Sequence, residues 1–187
     1  MPTVTLEWAR NVRSSSPTMN PSQPTSVIKT MWGLLERLAE MERRVGTLYA
    51  RFAEVFQRRP LVADFWRELA AEERLHAVVI AATREVFPPS TLAPPGEWGT
   101  QLSGIAQRLS AAERRASDRL PLHEALTWAE ELEASELNTL THVIVEHAGG
   151  GFSRLAPLVG QCGVDAHRDK LLQARRRFQE GEIPRVS

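Results

Sequence analysis

Residues 26–87 read SVIKTMWGLLERLAEMERRVGTLYARFAEVFQRRPLVADFWRELAAEERLHAVVIAATREVF, and two helical patterns follow each other in this segment. Apolar residues recur at helical spacing from 26 to 59, where no proline interrupts the chain. Pro60 suits the first turn of the next helix, because the N–H that proline lacks is unpaired there in any helix. Two further prolines follow Phe87 and end the pattern. We therefore predict helix A over residues 26–59 and helix B over residues 61–86, joined by a tight connection.

The remaining chain adds a proline-rich crossover and two more helical patterns. Residues 88–121 contain five prolines around one moderately helical piece at 99–117, which predicts a long crossover with a short extra helix. Helix C is expected over 121–147, ending at three consecutive glycines, and helix D over 152–180. Strand signals are absent from the sequence. This order of elements predicts an all-α, ferritin-like up-down four-helix bundle with one long crossover between helices B and C.

Length and composition predict one domain and narrow the function classes. Residues 1–26 are rich in Ser, Thr and Pro and are expected to form a flexible N-terminal tail, followed by the bundle at 27–180 and a C-terminal tail at 181–187. Lys and Arg number 23 and Asp and Glu number 23, so no overall charge attracts nucleic acid or an anionic membrane. Neither a membrane span nor a signal peptide is evident, which predicts a cytoplasmic protein.

The single cysteine, Cys162, excludes several kinds of site within one chain. An internal disulfide, a four-cysteine zinc site and a rubredoxin-type iron centre all need more than one thiolate. A metal bound by this chain would therefore be held by carboxylates and imidazoles.

Charged residues interrupt the apolar seams that a four–three spacing places on the inner face of each predicted helix. On helix A the seam is otherwise apolar, with residues such as Leu35, Leu38, Val45 and Phe52. The acidic and imidazole side chains on the inner faces are Glu42 on helix A, Glu73 and His76 on helix B, Glu133 and Glu136 on helix C, and His167 on helix D. Acids and histidines thus fall at positions that the pattern otherwise reserves for the core.

This placement predicts a cation between the acids, because buried carboxylates without partners lower the stability of the fold by several kcal/mol and repel one another. Facing Glu and His side chains supply the oxygen and nitrogen ligands that iron and manganese accept. Di-metal carboxylate bundles are built from one Glu on each of two helices and a Glu-x-x-His motif on each of the other two. Glu73-Arg74-Leu75-His76 fits that motif.

Residues 27–178 resemble the rubrerythrin-like branch of the ferritin-like superfamily. The likeness rests on Glu42 followed by Tyr49, on the segment EERLHA at 72–77, on the acidic EELE at 130–133, and more weakly on Ala166-His167-Arg168. It implies a bundle, commonly dimeric, that binds a di-iron centre between its helices and acts on O₂ or peroxide or oxidises iron. A single iron ion, or manganese, is the alternative for the metal in this chain. Carried over by position, it implies that Glu42, Glu73, His76, Glu133 and His167 are ligands.

The chain also departs from the family pattern at one ligand position. The family has a Glu three residues before the helix D histidine, where this chain has Val164, and Glu136 is the candidate to fill that gap. The absence of a rubredoxin domain implies that any peroxide reduction needs an external electron donor. No catalytic residue is assigned from the sequence.

Several alternatives remain open at the level of sequence. The acids can belong to a buried salt-bridge network with Arg43, Arg44 or Arg74 instead of a metal site. The helix C ligand can be Glu130 or Glu136 instead of Glu133, since a shift of one turn changes the register of the seam. His167 can be a surface residue, and Tyr49 either binds a ligand carboxylate or is simply a core aromatic. The functional alternative is a ferritin-like scaffold with a degenerate metal site that acts as a binding or assembly module.

Overall fold

The computed structural model describes residues 30–84, 96–117, 119–134 and 164–180, and these form helices joined by turns. The five helices are α1 (Met31–Val55), α2 (Pro60–Arg84), α3 (Gly96–Arg115), α4 (Leu122–Glu133) and α5 (Val164–Glu180). Within those ranges there is no strand, so the prediction of an all-α protein is confirmed. The predicted tails at 1–26 and 181–187, the predicted part of helix C beyond 134 and the first part of helix D lie outside the described residues.

Helices α1 and α2 form the most extensive helix pair, and the turn between them follows from local chemistry. Helix α1 begins at Met31 because Thr30 is extended and its hydroxyl accepts a hydrogen bond from the Gly33 N–H at 3.1 Å. At the other end, residues 56–59 form a turn, and Pro60 starts α2 as predicted. Helix α1 is therefore shorter at its C-terminal end than the predicted helix A.

Helix α3 is a larger part of the core than the short extra helix that the sequence predicts. It is 20 residues long, and Leu102, Ile105 and Leu109 are buried along one face. The first two belong to a hydrophobic cluster that includes Leu34 and Leu38 of α1. Their three- and four-residue spacing is the apolar stripe of an amphipathic helix, which explains why α3 packs on α1.

The seams predicted from the sequence are buried. His76 and Glu133 are half-buried. The buried residues on these inner faces are Leu35, Leu38, Glu42, Val45, Tyr49, Phe52, Phe56, Val62, Trp66, Leu69, Glu73, Ile80, Leu122, Leu126, Ala129, His167, Leu171, Ala174 and Phe178. The main cluster draws on all five helices, with Leu109 and Ala112 contributed by α3, and places Trp66 against both Tyr49 and Phe52. In the described ranges no helix has the length and apolar character needed to cross a membrane.

Candidate metal centre

The Glu73 carboxylate lies between two imidazoles inside the helix assembly. Its Oε2 is 2.9 Å from Nδ1 of His76, one turn further along α2, and its Oε1 is 3.0 Å from Nδ1 of His167 on α5. The two rings are stacked with centroids 4.9 Å apart. Glu73 and His167 are buried and His76 is half-buried. One ligand atom from each of the three residues lies within 4.8 Å of the others, a spacing that one metal ion can span.

Two further acids surround this trio. Glu133 of α4 places Oε2 3.4 Å from Nδ1 of His167, and its Oε1 accepts a hydrogen bond of 2.8 Å from the Tyr49 hydroxyl. Glu42 of α1 is buried and interacts with Glu73. We call Glu42, Glu73, His76, Glu133 and His167 the buried cluster. Five of the six predicted site residues are thus brought together, and Glu136 lies outside the described residues.

The cluster holds the Glu73 carboxylate ionised at neutral pH. Burial alone would raise the pKa of Glu73, but interactions with His167, His76 and Glu42 outweigh it, so that pKa lies well below its ordinary value. Burial would lower the pKa of His167, and the neighbouring Glu133 and Glu73 instead raise it to about 10. Without another cation, His167 is therefore the counter-charge of these acids.

Tyr49 is a hydrogen-bond donor in this arrangement. The side chain is fully buried, and burial together with the charges of Glu133 and Glu73 raises the pKa of its hydroxyl well above 10.0. The hydroxyl therefore keeps its proton and fixes the orientation of Glu133. Of the two readings left open for Tyr49, contact with a carboxylate of the cluster is the one observed.

Two buried carboxylate oxygens in this region accept no hydrogen bond. They are Oε1 of Glu73 and Oε2 of Glu72, although a His167 nitrogen is near each of them, at 3.0 Å and 2.8 Å. A buried acceptor left without a donor costs about 1–3 kcal/mol. A metal ion satisfies such oxygens without needing an aligned N–H, and glutamate and histidine are ligands of iron and manganese. The residues present therefore fit the kind of ion that the family resemblance implies.

The close approach of α1 to α2 at the cluster depends on Gly46. A Cβ on Gly46 would lie 3.2 Å from both the Ala70 carbonyl oxygen and the Glu73 Cβ. These distances are tighter than ordinary carbon contacts, so a side chain there would push the helices apart. The glycine lies between Glu42 and Tyr49 in the sequence and lets both reach the cluster.

Among the described residues, the partners of Glu73 are His76 and His167 rather than the arginines considered from the sequence. Arg43 pairs with Glu40, Arg44 pairs with Glu113 and Ser110 of α3, and Arg74 is exposed. Positive charge comes instead from α5, through His167 and Lys170. The choice among the acids of α4 is also explained: Glu130 forms a bidentate pair with Arg175, while Glu133 faces His167.

Sequence reasoning missed two residues, Glu72 and Lys170. Glu72 Oε2 approaches Nε2 of His167, and Glu72 Oε1 accepts a hydrogen bond from Lys170 Nζ, which also donates to Glu68 at 2.9 Å. Both residues lie beside the inner seam rather than on it. The only available signal was the acidic pair at positions 72 and 73, which does not identify a partner on α5.

No family model, curated protein or solved structure was found to match this chain. The likeness to rubrerythrin-like proteins therefore stays a proposal. The chemistry of the buried cluster is the basis on which a function can be inferred.

Proposed function

We propose that this protein is a non-haem metal-binding protein of the ferritin-like, rubrerythrin-like type, with a four-helix bundle that holds iron or manganese for oxidoreductase chemistry. The observation that supports it is the Glu73 carboxylate, buried between two imidazole Nδ1 atoms with one oxygen that accepts no hydrogen bond. Glu73, His76 and His167 are the proposed first ligands. Glu42 and Glu133, which interact with Glu73 and His167 respectively, are proposed as further ligands of a one- or two-ion site, and Glu136 remains a candidate.

Each residue of the cluster has a distinct role in this proposal. The two oxygens of Glu73 face different histidines, so this carboxylate is suited to bridge two positions. Tyr49 keeps Glu133 in place through its hydrogen bond. Burial of Glu42, Glu73 and His167 limits the access of water. A bound iron or manganese ion would supply the electrons for the reduction of O₂ or peroxide, and an external donor would restore them. The proposal includes a homodimer, in line with the resemblance.

Metal analysis tests this function directly. The full chain is purified without chelator, its metal content is measured, and the stripped protein is titrated with Fe(II) under anaerobic conditions before exposure to air. We expect one or two irons per chain, a rise in Tm on binding, and a near-ultraviolet band after oxidation. Glu73→Ala should abolish uptake, whereas Glu54→Ala, an exposed acid on α1, should leave it unchanged. Absence of metal together with an unchanged Tm on adding Fe(II) would contradict the proposal.

The second candidate function is a scaffold with a degenerate metal site. It is favoured by His167, whose two nitrogens both lie near carboxylates, because a protonated imidazole can serve as the counter-charge in place of a metal. Val164 at the start of α5, where the family has a Glu, favours the same reading. This candidate predicts that Glu73→Ala leaves metal content unchanged at zero and alters only stability.

A further inference from the structure

The geometry points to an access route from solvent to the buried cluster. In this route Glu72 binds an incoming divalent cation on its way to the cluster, and the cation must first displace the ammonium of Lys170 from Glu72. This inference rests on the proposed metal-binding function, because it concerns how the same site is loaded. It assigns roles to two residues outside the proposed ligand set.

The route is a series of side chains of alternating charge that spans α2 and α5. Lys170 Nζ binds Glu68 Oε1 and Glu72 Oε1, and the other Glu72 oxygen lies 2.8 Å from His167 Nε2. His167 in turn contacts Glu73 through its second nitrogen at 3.0 Å. Side-chain exposure falls along the series, from 62% at Glu68 through 35% at Lys170 and 30% at Glu72 to 6% at His167 and 2% at Glu73.

Two observations indicate that the series leads a cation inward. The Glu73 oxygen at its inner end is buried and faces the His167 ring at 3.0 Å without an aligned hydrogen bond, which leaves room for a cation as a further partner. The Glu72 oxygen on the inner side is likewise buried without a hydrogen bond, while its other oxygen is held by Lys170. One oxygen of Glu72 therefore contacts the surface lysine and the other faces the cluster, so Glu72 can pass a cation from the surface to the cluster.

Lys170 opposes the cation because it carries the same sign of charge. Its ammonium is bound by two acids, and these neighbours raise its pKa against the opposing effect of burial, so it stays protonated at neutral pH. The side chain is long and half-buried, so the ammonium can swing to Glu68 and solvent while its backbone stays in α5. The Glu72 carboxylate would then be free to bind an arriving divalent cation. Lys170 slows uptake and Glu72 speeds it.

Rapid-mixing kinetics of metal uptake test these roles. The stripped full chain is mixed at low salt with Co²⁺, whose ligand-field absorption reports binding, and release is measured by mixing loaded protein with EDTA. The variants are Glu72→Gln, Lys170→Gln and Lys170→Arg. Glu54→Gln and Arg43→Gln on α1 are controls that change the net charge equally on exposed side chains away from the route.

We expect Glu72→Gln to slow uptake on the order of tenfold and to slow release similarly, leaving stoichiometry and affinity unchanged. Lys170→Gln should speed uptake by a similar factor. Lys170→Arg should keep the wild-type rate, because it keeps the charge, and a fast Lys170→Arg would show that a loosened α5, not charge, controls the rate. The differences should shrink in about 0.5 M salt.

The outcomes separate this inference from the proposed function. Wild-type protein that loads Co²⁺, with Glu72→Gln and Lys170→Gln matching their controls, overturns the access route and leaves the metal site standing. Faster release and weaker affinity in Glu72→Gln would make Glu72 a ligand and also overturn the access route. Wild-type protein that takes up no Co²⁺ at equilibrium overturns the metal site, and the route with it.

Discussion

The two ends of α5 treat charge in opposite ways. Near its C-terminal end, Arg175 forms two hydrogen bonds of 2.7 Å with Glu130 of α4 and one of 3.0 Å with Thr127. One cation meets one carboxylate there, and the planar guanidinium matches both oxygens. At the N-terminal end, His167 approaches three acids at once, Glu72, Glu73 and Glu133. One imidazole is shared among three carboxylates there, and two carboxylate oxygens of Glu72 and Glu73 accept no hydrogen bond.

This difference distinguishes a structural ion pair, at the C-terminal end of α5, from a candidate metal site, at its N-terminal end. The Arg175–Glu130 pair at the partly exposed end joins α5 to α4, and both of its charges are already neutralised, so it has no need of a ligand. A buried set of acids that share one imidazole costs stability in the free protein, since buried charges are tolerated only when they are well paired. We infer that the buried acids are kept despite this cost because a bound metal ion neutralises them. We therefore expect substitutions at the two ends to differ in kind as well as in size.

Removal of His167 should have the largest effect. His167→Ala leaves Glu73 and Glu133 without their nearest cation in the buried cluster, and breaking a buried pair in this way costs about 3–5 kcal/mol. Urea unfolding in the presence of EDTA measures the loss, and metal titration should show that uptake falls as well. His123→Ala, an exposed histidine on α4, is the matched control. Equal losses in the two variants would mean that His167 is not the counter-charge of the cluster.

The same residue should give the metal-free protein a characteristic pH dependence. The pKa of His167 rises from 6.5 to about 10 in the folded state, so its stabilising contribution is full below about 6.5 and declines until pH passes 10. The pKa of Glu73 lies below its ordinary 4.5, so its contribution is full above that value and is lost in acid. Both contributions are complete only between about 4.5 and 6.5.

Thermal unfolding with EDTA present, compared between wild type and His167→Gln, measures this dependence. The difference in Tm should be greatest in the window where both contributions are complete and should shrink steadily towards pH 10. A difference that grows with pH would contradict the assigned ion pair.

Much of the fold could be predicted from the sequence, because helix seams are local patterns. The four–three spacing on α1, α2 and α5 predicts residues that prove buried, including Glu42 and Glu73. The start of α1 was missed because it depends on one side-chain cap, the Thr30 hydroxyl. The contribution of α3 to the core was missed because prolines before and after it indicated a crossover, and its packing against both hydrophobic clusters is visible only in the structure.

The candidate site could be predicted only where it is local. Glu73 and His76 are one turn apart on a single helix, so their proximity follows from spacing. The contact of Glu72 with Lys170 and His167 joins side chains that flank the seams of two helices, and no periodicity encodes which flanking charges meet. Glu133 could not be chosen over Glu130 by register. Their different partners, His167 and Arg175, distinguish them in the structure.

A methyl group at Gly46 of α1 should lower stability less than the loss of His167, and its effect should be confined to the region of the buried cluster. Gly46→Ala places a Cβ 3.2 Å from the Ala70 carbonyl and the Glu73 Cβ, and relief of such contacts costs about 1–3 kcal/mol. The improved helix propensity returns about 0.5–1 kcal/mol, so we expect a net loss of about 1 kcal/mol and weaker metal binding. Urea unfolding and Co²⁺ titration measure the two effects.

Gly104→Ala on α3 is the matched control for that change. Its Cβ would meet only the end of the Arg108 side chain at 4.0 Å, so the variant should gain up to about 1 kcal/mol from helix propensity. If Gly46→Ala were also stabilising and bound metal normally, close approach of α1 to α2 would not be what positions Glu73.

The smallest effect is expected at the matched end of α5. Arg175 and Glu130 are each a little under a third exposed, so solvent screens their attraction, and we expect Arg175→Ala to cost about 1 kcal/mol. A double-mutant cycle with Glu130→Ala should give a coupling of about 0.5–1 kcal/mol, reduced by high salt, while metal affinity stays at the wild-type value. Because Arg175 and Glu130 neutralise each other, we expect their removal to leave the buried cluster and its metal affinity unchanged. A coupling as large as the cost of losing His167, or a change in metal affinity, would show that the two ends of α5 act as one network and would remove the distinction between them.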